Sequence, residues 1–268
     1  MLTLNERPRG RVLLATSDIP AEYHADRLRW WTTNSPSWSA HIDADHNRSA
    51  MLAKLAQMAI GLARRDGHFS VADLGCGEGA FLRIFRQLAP DARLQGIDFC
   101  PAMLAEAHRR SESLALNYTL GDLEQPGFAL CPGVDLVTSI LAMDEMDQLD
   151  AAFRNIAGAL APGGTAMLVV MDPLKEKERN REALEDCLNG NRSPDEAVLI
   201  VKTFPNNGLA PVAPYSRIVR PLGQYTAAAV AAGLWPGPVD QLSHDVGIGS
   251  YSGTLLFDIL TFQKTAVL

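Results

Sequence analysis

The sequence of 268 residues lacks several features that mark specialised protein classes. It has no run near the ~20 consecutive apolar residues that a membrane-spanning helix requires. The apolar run at residues 12–15, which follows a basic N-terminal segment, is shorter than the apolar core of a secretory signal. We therefore predict neither membrane insertion nor export, and we expect a cytoplasmic protein.

Clustered cysteines and clustered basic residues are also absent. The four cysteines are scattered and form no C-x-x-C pair, which argues against a zinc site and a disulfide framework. There are 24 Lys and Arg against 31 Asp and Glu, for a net charge of −7, and the basic residues are dispersed. Because nucleic acids and anionic membranes are bound by clustered Lys and Arg, we expect neither as a partner.

What the sequence does contain is enough apolar residues, 47%, for a packed core, and a clear change of pattern along the chain. Residues 1–20 show no sustained period and are predicted to be a loose arm, and residues 21–65 show helical spacing. Between residues 69 and 172, short strands alternate with amphipathic stretches, which is typical of βαβ units with a parallel sheet. The predicted strands of this part are 71–74, 93–97, 116–119, 134–139 and 166–170.

The segment after residue 172 has a different character. A charged helix is predicted from residue 175 to about 187, and prolines interrupt two extended segments at 197–204 and 212–219. We interpret residues 173–220 as an inserted cap. Residues 221–268, with a predicted helix at 224–232 and a strand at 254–262, are expected to complete the core.

The most informative motif is residues 73–79, DLGCGEG, between a predicted strand and a predicted helix. Glycines there permit positive φ and close approach of a ligand, and Asp98, at the end of the next strand, can accept both hydroxyls of a ribose. The glycines alone fit a nicotinamide dinucleotide as well as another nucleoside. Asp73 favours the latter, because its carboxylate would oppose a pyrophosphate and suit a cation such as S-adenosylmethionine (SAM).

On these residues the chain resembles the class I SAM-dependent methyltransferases, over roughly residues 69–172 and the closing helix and strand. Gly121-Asp122, residues 135–143 and residues 160–164 (LAPGG) resemble later motifs of that family in the same order. The resemblance implies an α/β fold with a doubly wound, mostly parallel seven-stranded sheet and helices on both faces. Residues 1–68 would add an N-terminal arm and helical lid, and the cap would follow the fifth strand.

The resemblance also implies SAM as the cofactor and assigns residues to it. Asp98 would bind the ribose, Phe99 would pack on the adenine, and Asp122 and the Leu123 amide would contact the adenine amino group and ring. The cofactor-binding set implied in this way is Asp73, Gly75, Cys76, Gly77, Asp98, Phe99, Asp122, Leu123 and Ile140.

Acceptor-binding residues are expected outside the cofactor motifs. Trp31 and Trp38 belong to a tryptophan cluster that can wall an apolar acceptor, although indoles that dock a helix on the sheet would give the same pattern. Tyr215 and Arg217, in the cap, can hold a carbonyl or carboxylate, although a strand-edge role explains them equally well.

Catalysis of methyl transfer depends mainly on alignment and exclusion of water, and a base is needed only for a phenol, a protonated amine or a carbon acid. The candidate bases are Asp144, Glu145 and His41. We predict O-, N- or C-methylation of a small-molecule acceptor by a monomer or homodimer without a metal. The alternatives are an NAD-dependent oxidoreductase and a protein that binds SAM without transferring its methyl group.

Overall fold

The computed structural model describes residues 13–15, 22–63, 68–128, 132–179, 197–202, 215–248 and 251–266. The N-terminal elements are strand β1 (Leu13–Ala15) and helices α1 (Tyr23–Asp43) and α2 (Arg48–Ala63). The central elements alternate, in the order β2 (Ser70–Leu74), α3 (Ala80–Leu88), β3 (Arg93–Asp98), α4 (Pro101–Arg110), β4 (Asn117–Leu120), β5 (Val134–Ile140), a 3-10 turn (Met143–Glu145), α5 (Leu149–Ala159) and β6 (Leu160–Met171). The later elements are α6 (Pro173–Arg179), β7 (Val198–Lys202), β8 (Tyr215–Val219), α7 (Leu222–Ala231), β9 (Leu234–Ile248) and β10 (Tyr251–Lys264).

Seven strands form one sheet in the order β4-β3-β2-β5-β6-β10-β9. The first five are parallel, and β10 pairs antiparallel with both β6 and β9. This confirms the predicted doubly wound, mostly parallel seven-stranded sheet. Because the strand order reverses between β2 and β5, their carboxyl ends frame the crevice in which open α/β sheets bind ligands.

Buried side chains alternate along the central strands and so divide the core between the two faces of the sheet. Val71 and Met167 pack with α2 and α3 on one face, while the next residues, Ala72 and Leu168, pack with α5 and α7 on the other. Strands of a parallel sheet are buried on both sides in this way, which is why they are continuously apolar in the sequence.

Three parts of the chain differ from the sequence predictions or extend them. The loose arm predicted for residues 1–20 is wrong at residues 13–15, because β1 pairs antiparallel with β7, which in turn pairs with β8. Strand β9 was not predicted because Pro236 and Pro238 interrupt its pattern, and an edge strand tolerates proline because one row of its backbone groups has no ladder partner.

The charged helix predicted at 175–187 corresponds to α6 as far as Arg179, and its remainder lies outside the described residues. The lid and cap functions assigned to residues 1–68 and 173–220 stay predictions. In the described part of the chain, no helix combines the length and apolar character needed to cross a membrane.

Candidate functional site

A cavity of about 390 Å³ opens at the carboxyl ends of β2, β3 and β5, with α1 along one side. One end is lined by the glycine-rich turn after β2 and by the acidic residues after β3 and β4. The other end is lined by aromatic and apolar side chains of α1, α2 and the β9–β10 hairpin. The cavity therefore joins the predicted cofactor residues to a chamber that the cofactor motifs did not reveal.

The turn after β2 needs glycine for two reasons. Gly75 and Gly77 have φ values of 69° and 54°, in the left-handed region that glycine adopts without strain. A Cβ on Gly75 would also lie 2.3 Å from the Cβ of Ala142, in the turn that follows β5. The chain thus approaches itself closely at this point, and its backbone faces the cavity.

Asp98 ties the ends of β2 and β3 together. Its carboxylate accepts hydrogen bonds from the backbone N–H groups of Gly77 (2.8 Å) and Cys100 (2.9 Å). The side chain is buried and lines the cavity, and burial raises its pKa although these two N–H groups oppose the shift. A buried acid held in place by backbone donors is positioned to accept the hydroxyl groups of a sugar.

Asp73 is a buried acid, and no cationic side chain among the described residues contributes to its pKa shift. The Thr138 hydroxyl donates to its carboxylate (2.7 Å), and burial, reinforced by the nearby Asp98, raises its pKa to about 7. The same surroundings raise the pKa of the Cys76 thiol well above its usual value, first through burial and then through these carboxylates. A cation bound in the cavity would stabilise the ionised form of Asp73.

The adenine end of the predicted cofactor site is bordered by α1. His24 Nε2 lies 3.0 Å from Asp122 Oδ2, and the Arg27 guanidinium lies over the Phe99 ring, 4.8 Å from its centroid. Arg27 also pairs with the buried carboxylate of Glu124, which holds the pKa of that carboxyl below its usual value against the effect of burial. The helix therefore contacts the residues predicted to bind the purine.

Leu123 and Ile140 complete this end. Leu123 is buried, Ile140 is partly buried, and both line the cavity. The structure therefore brings all nine predicted cofactor residues, from Asp73 to Ile140, to one cavity.

Glu145 lies where α1 crosses the turn after β5. The Trp31 indole donates to its carboxylate (2.7 Å), and the Tyr23 hydroxyl donates to its backbone carbonyl (2.9 Å). Burial raises the pKa of Glu145 to about 7, although the Trp31 hydrogen bond and the charge of Arg27 oppose the shift. A carboxyl that is part neutral and part ionised near pH 7 and lines the cavity can donate to or accept from a ligand.

Asp144, the neighbouring candidate base, faces the protein interior. Its carboxylate accepts hydrogen bonds from the Met171 backbone N–H and the Tyr225 hydroxyl, both at 3.0 Å, and Arg217 Nη1 lies 3.5 Å away. It is absent from the cavity lining. These contacts tie the turn after β5 to β6, α7 and β8 and so stabilise the fold. A catalytic role for Asp144 stays a prediction.

The aromatic wall is built from α1. Trp31 and Trp38 meet edge to face with their ring centroids 5.1 Å apart, and both line the cavity. His41 stacks on Trp38 and also lines the cavity, and burial lowers the pKa of its imidazole. Because such rings form an apolar surface with fixed geometry, this wall suits a flat or apolar ligand.

Two described side chains of the cap, Arg217 and Glu176 of α6, line the cavity. Arg217, from β8, is buried and lines it near Glu145. The Tyr215 side chain lies outside what the structure describes. The roles predicted for Arg217 and Tyr215 stay predictions.

Sequence reasoning missed the residues by which α1 seals the cavity. Arg27, Tyr23 and Glu124 belong to no motif, and they meet only when the helix docks across the sheet. His244 and Asp45, which also line the cavity, form a pair at 2.7 Å between residues 199 positions apart. In the sequence, only the spacing of apolar residues along α1 could have indicated this face, and that spacing is irregular.

These residues fit SAM. The glycine turn leaves room against the backbone, Asp98 is positioned for a ribose, and the Asp73 carboxylate is a buried acid that a cation would stabilise. The cavity then continues beyond the cofactor residues into the aromatic chamber, where a second molecule can lie against the first.

The family model described as a methyltransferase domain matches residues 71–164. Among curated proteins, the malonyl-[acyl-carrier protein] O-methyltransferase of Hahella chejuensis is 28% identical over 116 residues, which is 43% of this chain and 41% of that protein. The trans-aconitate 2-methyltransferase of Methylobacterium nodulans is 32% identical over 109 residues, 40% of each chain. The demethylmenaquinone methyltransferase of Thermus thermophilus is 28% identical over 43% of this chain and 53% of its own length.

This chain therefore spans about half, or less, of the length of these curated relatives. Among solved structures, a SAM-dependent methyltransferase of Methanosarcina mazei superposes with a TM-score of 0.60 at 12% identity, covering 78% of this chain and 98% of that one. One from Clostridium acetobutylicum gives 0.53 at 14% identity, covering 80% and 91%. The structures agree in fold, and the domain match favours a methyltransferase over the nicotinamide alternative.

Proposed function

We propose that this chain is a class I SAM-dependent methyltransferase that transfers the SAM methyl group to a small-molecule acceptor. The methyltransferase-domain match over residues 71–164 supports this proposal. The acceptor would occupy the aromatic end of the cavity. One observation carries this proposal: a single cavity joins the buried acid Asp98 and the glycine turn to a chamber lined by Trp31 and Trp38.

In this proposal the cofactor residues keep the roles that the family resemblance implies. Asp98 accepts the ribose hydroxyls, Asp122 accepts the adenine amino group, and the Leu123 amide meets the purine ring. The Asp73 carboxylate lies near the charged methionine part. Bound SAM supplies an electrophilic methyl carbon and a neutral leaving group, so these residues act by holding that carbon in line with the acceptor.

The chamber favours an acceptor with an apolar body and one group that carries a proton. Its described lining combines aromatic and thioether side chains with the carboxyl of Glu145 and the imidazole of His41, which we propose contact the protic group. Two of the relatives act, by name, on malonyl and aconitate groups and a third on demethylmenaquinone. All three names denote small acceptors or small groups on a carrier, which supports a small-molecule acceptor for this chain.

The small size of the acceptor follows from the way α1 closes the cavity. Tyr23, Arg27 and Trp31 all bond to the turn after β5 and thereby cover the chamber. A largely apolar chamber covered on one side by α1 restricts the access of water, which protects the displacement and strengthens its electrostatic interactions. A nucleic acid or a folded protein would need an open, charged surface instead.

Calorimetry with SAM and with its demethylated product, S-adenosylhomocysteine, tests the cofactor assignment, with NAD as the control ligand. We expect binding of the first two and none of NAD. Labelled methyl transfer from SAM to metabolites of the producing cell, read by mass, then tests catalysis. Binding without any labelled product would favour a SAM-binding protein without transferase activity, and absence of binding would overturn the proposal.

A further inference from the structure

A histidine–aspartate pair lines the cavity where the turn between α1 and α2 meets strand β9. His244, in β9, places Nε2 2.7 Å from Asp45 Oδ2, in the turn between α1 and α2. The side chains are only 5% and 7% exposed, and both line the cavity. Asn47 Nδ2 donates to the backbone carbonyl of Asp245 (2.7 Å), so the same two segments are joined twice.

The imidazole is held in one orientation. Its ring stacks on Phe257, with centroids 6.3 Å apart and planes at 23°. The Asp45 carboxylate accepts a hydrogen bond from Nε2–H of the ring. A histidine whose Nε2–H bonds to a carboxylate has its lone pair on Nδ1. Within the described ranges, Nδ1 has no hydrogen-bond partner.

The surroundings of the pair are mostly apolar. Val246 and Leu255 of the hairpin and Met51 and Leu52 of α2 line the cavity around it. Arg48 and His41 also line the cavity. Burial lowers the pKa of both side chains, and the charge of Asp45 opposes this shift. The geometry is thus an imidazole oriented by a carboxylate in a largely apolar part of the cavity.

Resting on the proposed function, we propose that His244 is the general base of the reaction and that Asp45 is its positioning residue. The acceptor gives its O–H or N–H proton to Nδ1 of His244 and uses the freed electron pair to bond the methyl carbon. The bond from that carbon to sulfur breaks, and its electron pair stays on sulfur, which becomes a neutral thioether. The imidazolium then releases the proton to solvent.

This assignment separates His244 from the other basic groups of the chamber. One oxygen of the Glu145 carboxyl already accepts from Trp31, and in this proposal the group binds the acceptor. The Asp45 carboxylate at Nε2 of His244 is the arrangement that fixes the tautomer of a catalytic imidazole.

The tautomer of His244 tests the proposal directly. Long-range proton–nitrogen NMR on protein loaded with S-adenosylhomocysteine, at about pH 8, reports which ring nitrogens carry protons. We expect a proton on Nε2 and none on Nδ1, with the signal assigned by its loss in His244→Gln. Asp45→Asn should mix the two tautomers. A proton on Nδ1 in the native protein would overturn the proposal.

Methyl transfer to the acceptor found in the metabolite assay provides the second readout. The amide of His244→Gln can still donate to Asp45, so a merely structural histidine predicts an almost unchanged kcat. We expect kcat to fall by about 10² or more. The affinity for S-adenosylhomocysteine should change by less than about twofold.

The control variant is His46→Gln, an exposed histidine in the same turn, which should keep its kcat. If S-adenosylhomocysteine does not bind the native protein, the proposed function itself fails. If it binds but Nδ1 is protonated, or kcat of His244→Gln is unchanged, only the base assignment fails.

Discussion

Buried carboxylates at the strand ends show how neighbours decide what one side-chain type does. Asp135 accepts hydrogen bonds from the backbone N–H and the hydroxyl of Ser70 and so joins β2 and β5. Asp144 is likewise bonded inward, to a backbone N–H and a tyrosine hydroxyl. Asp98 and Asp73 line the cavity instead. The role open to each acid is therefore set by whether its carboxylate faces the protein interior or the cavity.

Replacing Asp98 tests the ribose contact. We expect Asp98→Asn to weaken binding of S-adenosylhomocysteine by about 1–3 kcal/mol, because charge-assisted hydrogen bonds become neutral ones. Calorimetry measures the change, with the exposed Asp91→Asn as a matched control that keeps native affinity. Equal affinities of the two variants would contradict the ribose assignment.

The raised pKa of Asp73 predicts a pH dependence of stability. In the fold its pKa is about 7 against 3.8 for an ordinary aspartate, so the folded protein keeps a proton that the unfolded chain has released. This stabilising contribution is complete below pH 3.8 and is lost as the pH rises towards 7. The Asp73→Asn variant does not lose stability in this way, because asparagine does not titrate.

Urea unfolding across this pH window measures the effect. The free energy of unfolding of Asp73→Asn, relative to native protein, should rise with pH by at most about 1.4 kcal/mol per unit. The exposed Asp91→Asn should show no such trend. A difference between Asp73→Asn and native protein that stays constant with pH would contradict the raised pKa.

At the scale of elements, helix α1 is the part that converts an open sheet crevice into a closed cavity. Tyr23 and Arg27, near its start, bond to the turns after β5 and β4, and Trp31, Trp38 and His41, farther along the helix, supply the aromatic wall. Arg110 of α4 also pairs with Asp43 at the end of α1. The helix is thus fixed at both ends by charged contacts rather than by a strong apolar stripe.

The buried ion pair of α1 should dominate its attachment. Arg27→Ala leaves the Glu124 carboxylate buried without its partner, which costs about 3–5 kcal/mol in unfolding free energy. Arg29, two residues along the same helix, pairs with Asp26 on the surface, and Arg29→Ala should cost less than about 1 kcal/mol. Urea denaturation compares the two variants, and similar losses would show that Glu124 does not depend on Arg27.

For the whole molecule, the cavity joins segments from nearly the full length of the chain. It is lined by α1, by the central strands and by the β9–β10 hairpin, so a ligand inside it contacts the N-terminal, central and C-terminal parts at once. A ligand that binds only the folded protein stabilises all of these parts together.

Ligand binding should therefore raise the stability of the entire fold. At a concentration of one hundred times its Kd, S-adenosylhomocysteine should add about 2.7 kcal/mol to the free energy of unfolding. Thermal unfolding followed by tryptophan fluorescence is a suitable measurement, since Trp31 and Trp38 line the cavity. NAD at the same concentration is the control, and an equal stabilisation by NAD would contradict the cofactor assignment.

The parallel strands and the grouping of the predicted cofactor residues were predictable because they are local in the sequence, whereas the total of seven strands came from the family resemblance. A glycine turn after β2 and an acid at the end of β3 are each placed by the strand they follow, and parallel strands bring their carboxyl ends together. The edge strand β9 was hidden by its prolines. The choice between Asp144 and Glu145 was also hidden, since adjacent residues in a turn face opposite ways.

By itself, the sequence determined the cofactor end of this protein, because each residue there needs only its own strand and turn. The tertiary structure decided the acceptor end. Arg27 meets Glu124 across 97 residues, and Asp45 meets His244 across 199, so each contact depends on how a helix or hairpin docks on the sheet. No periodic pattern records such a pairing, because the energy that fixes it comes from packing and desolvation in the assembled fold.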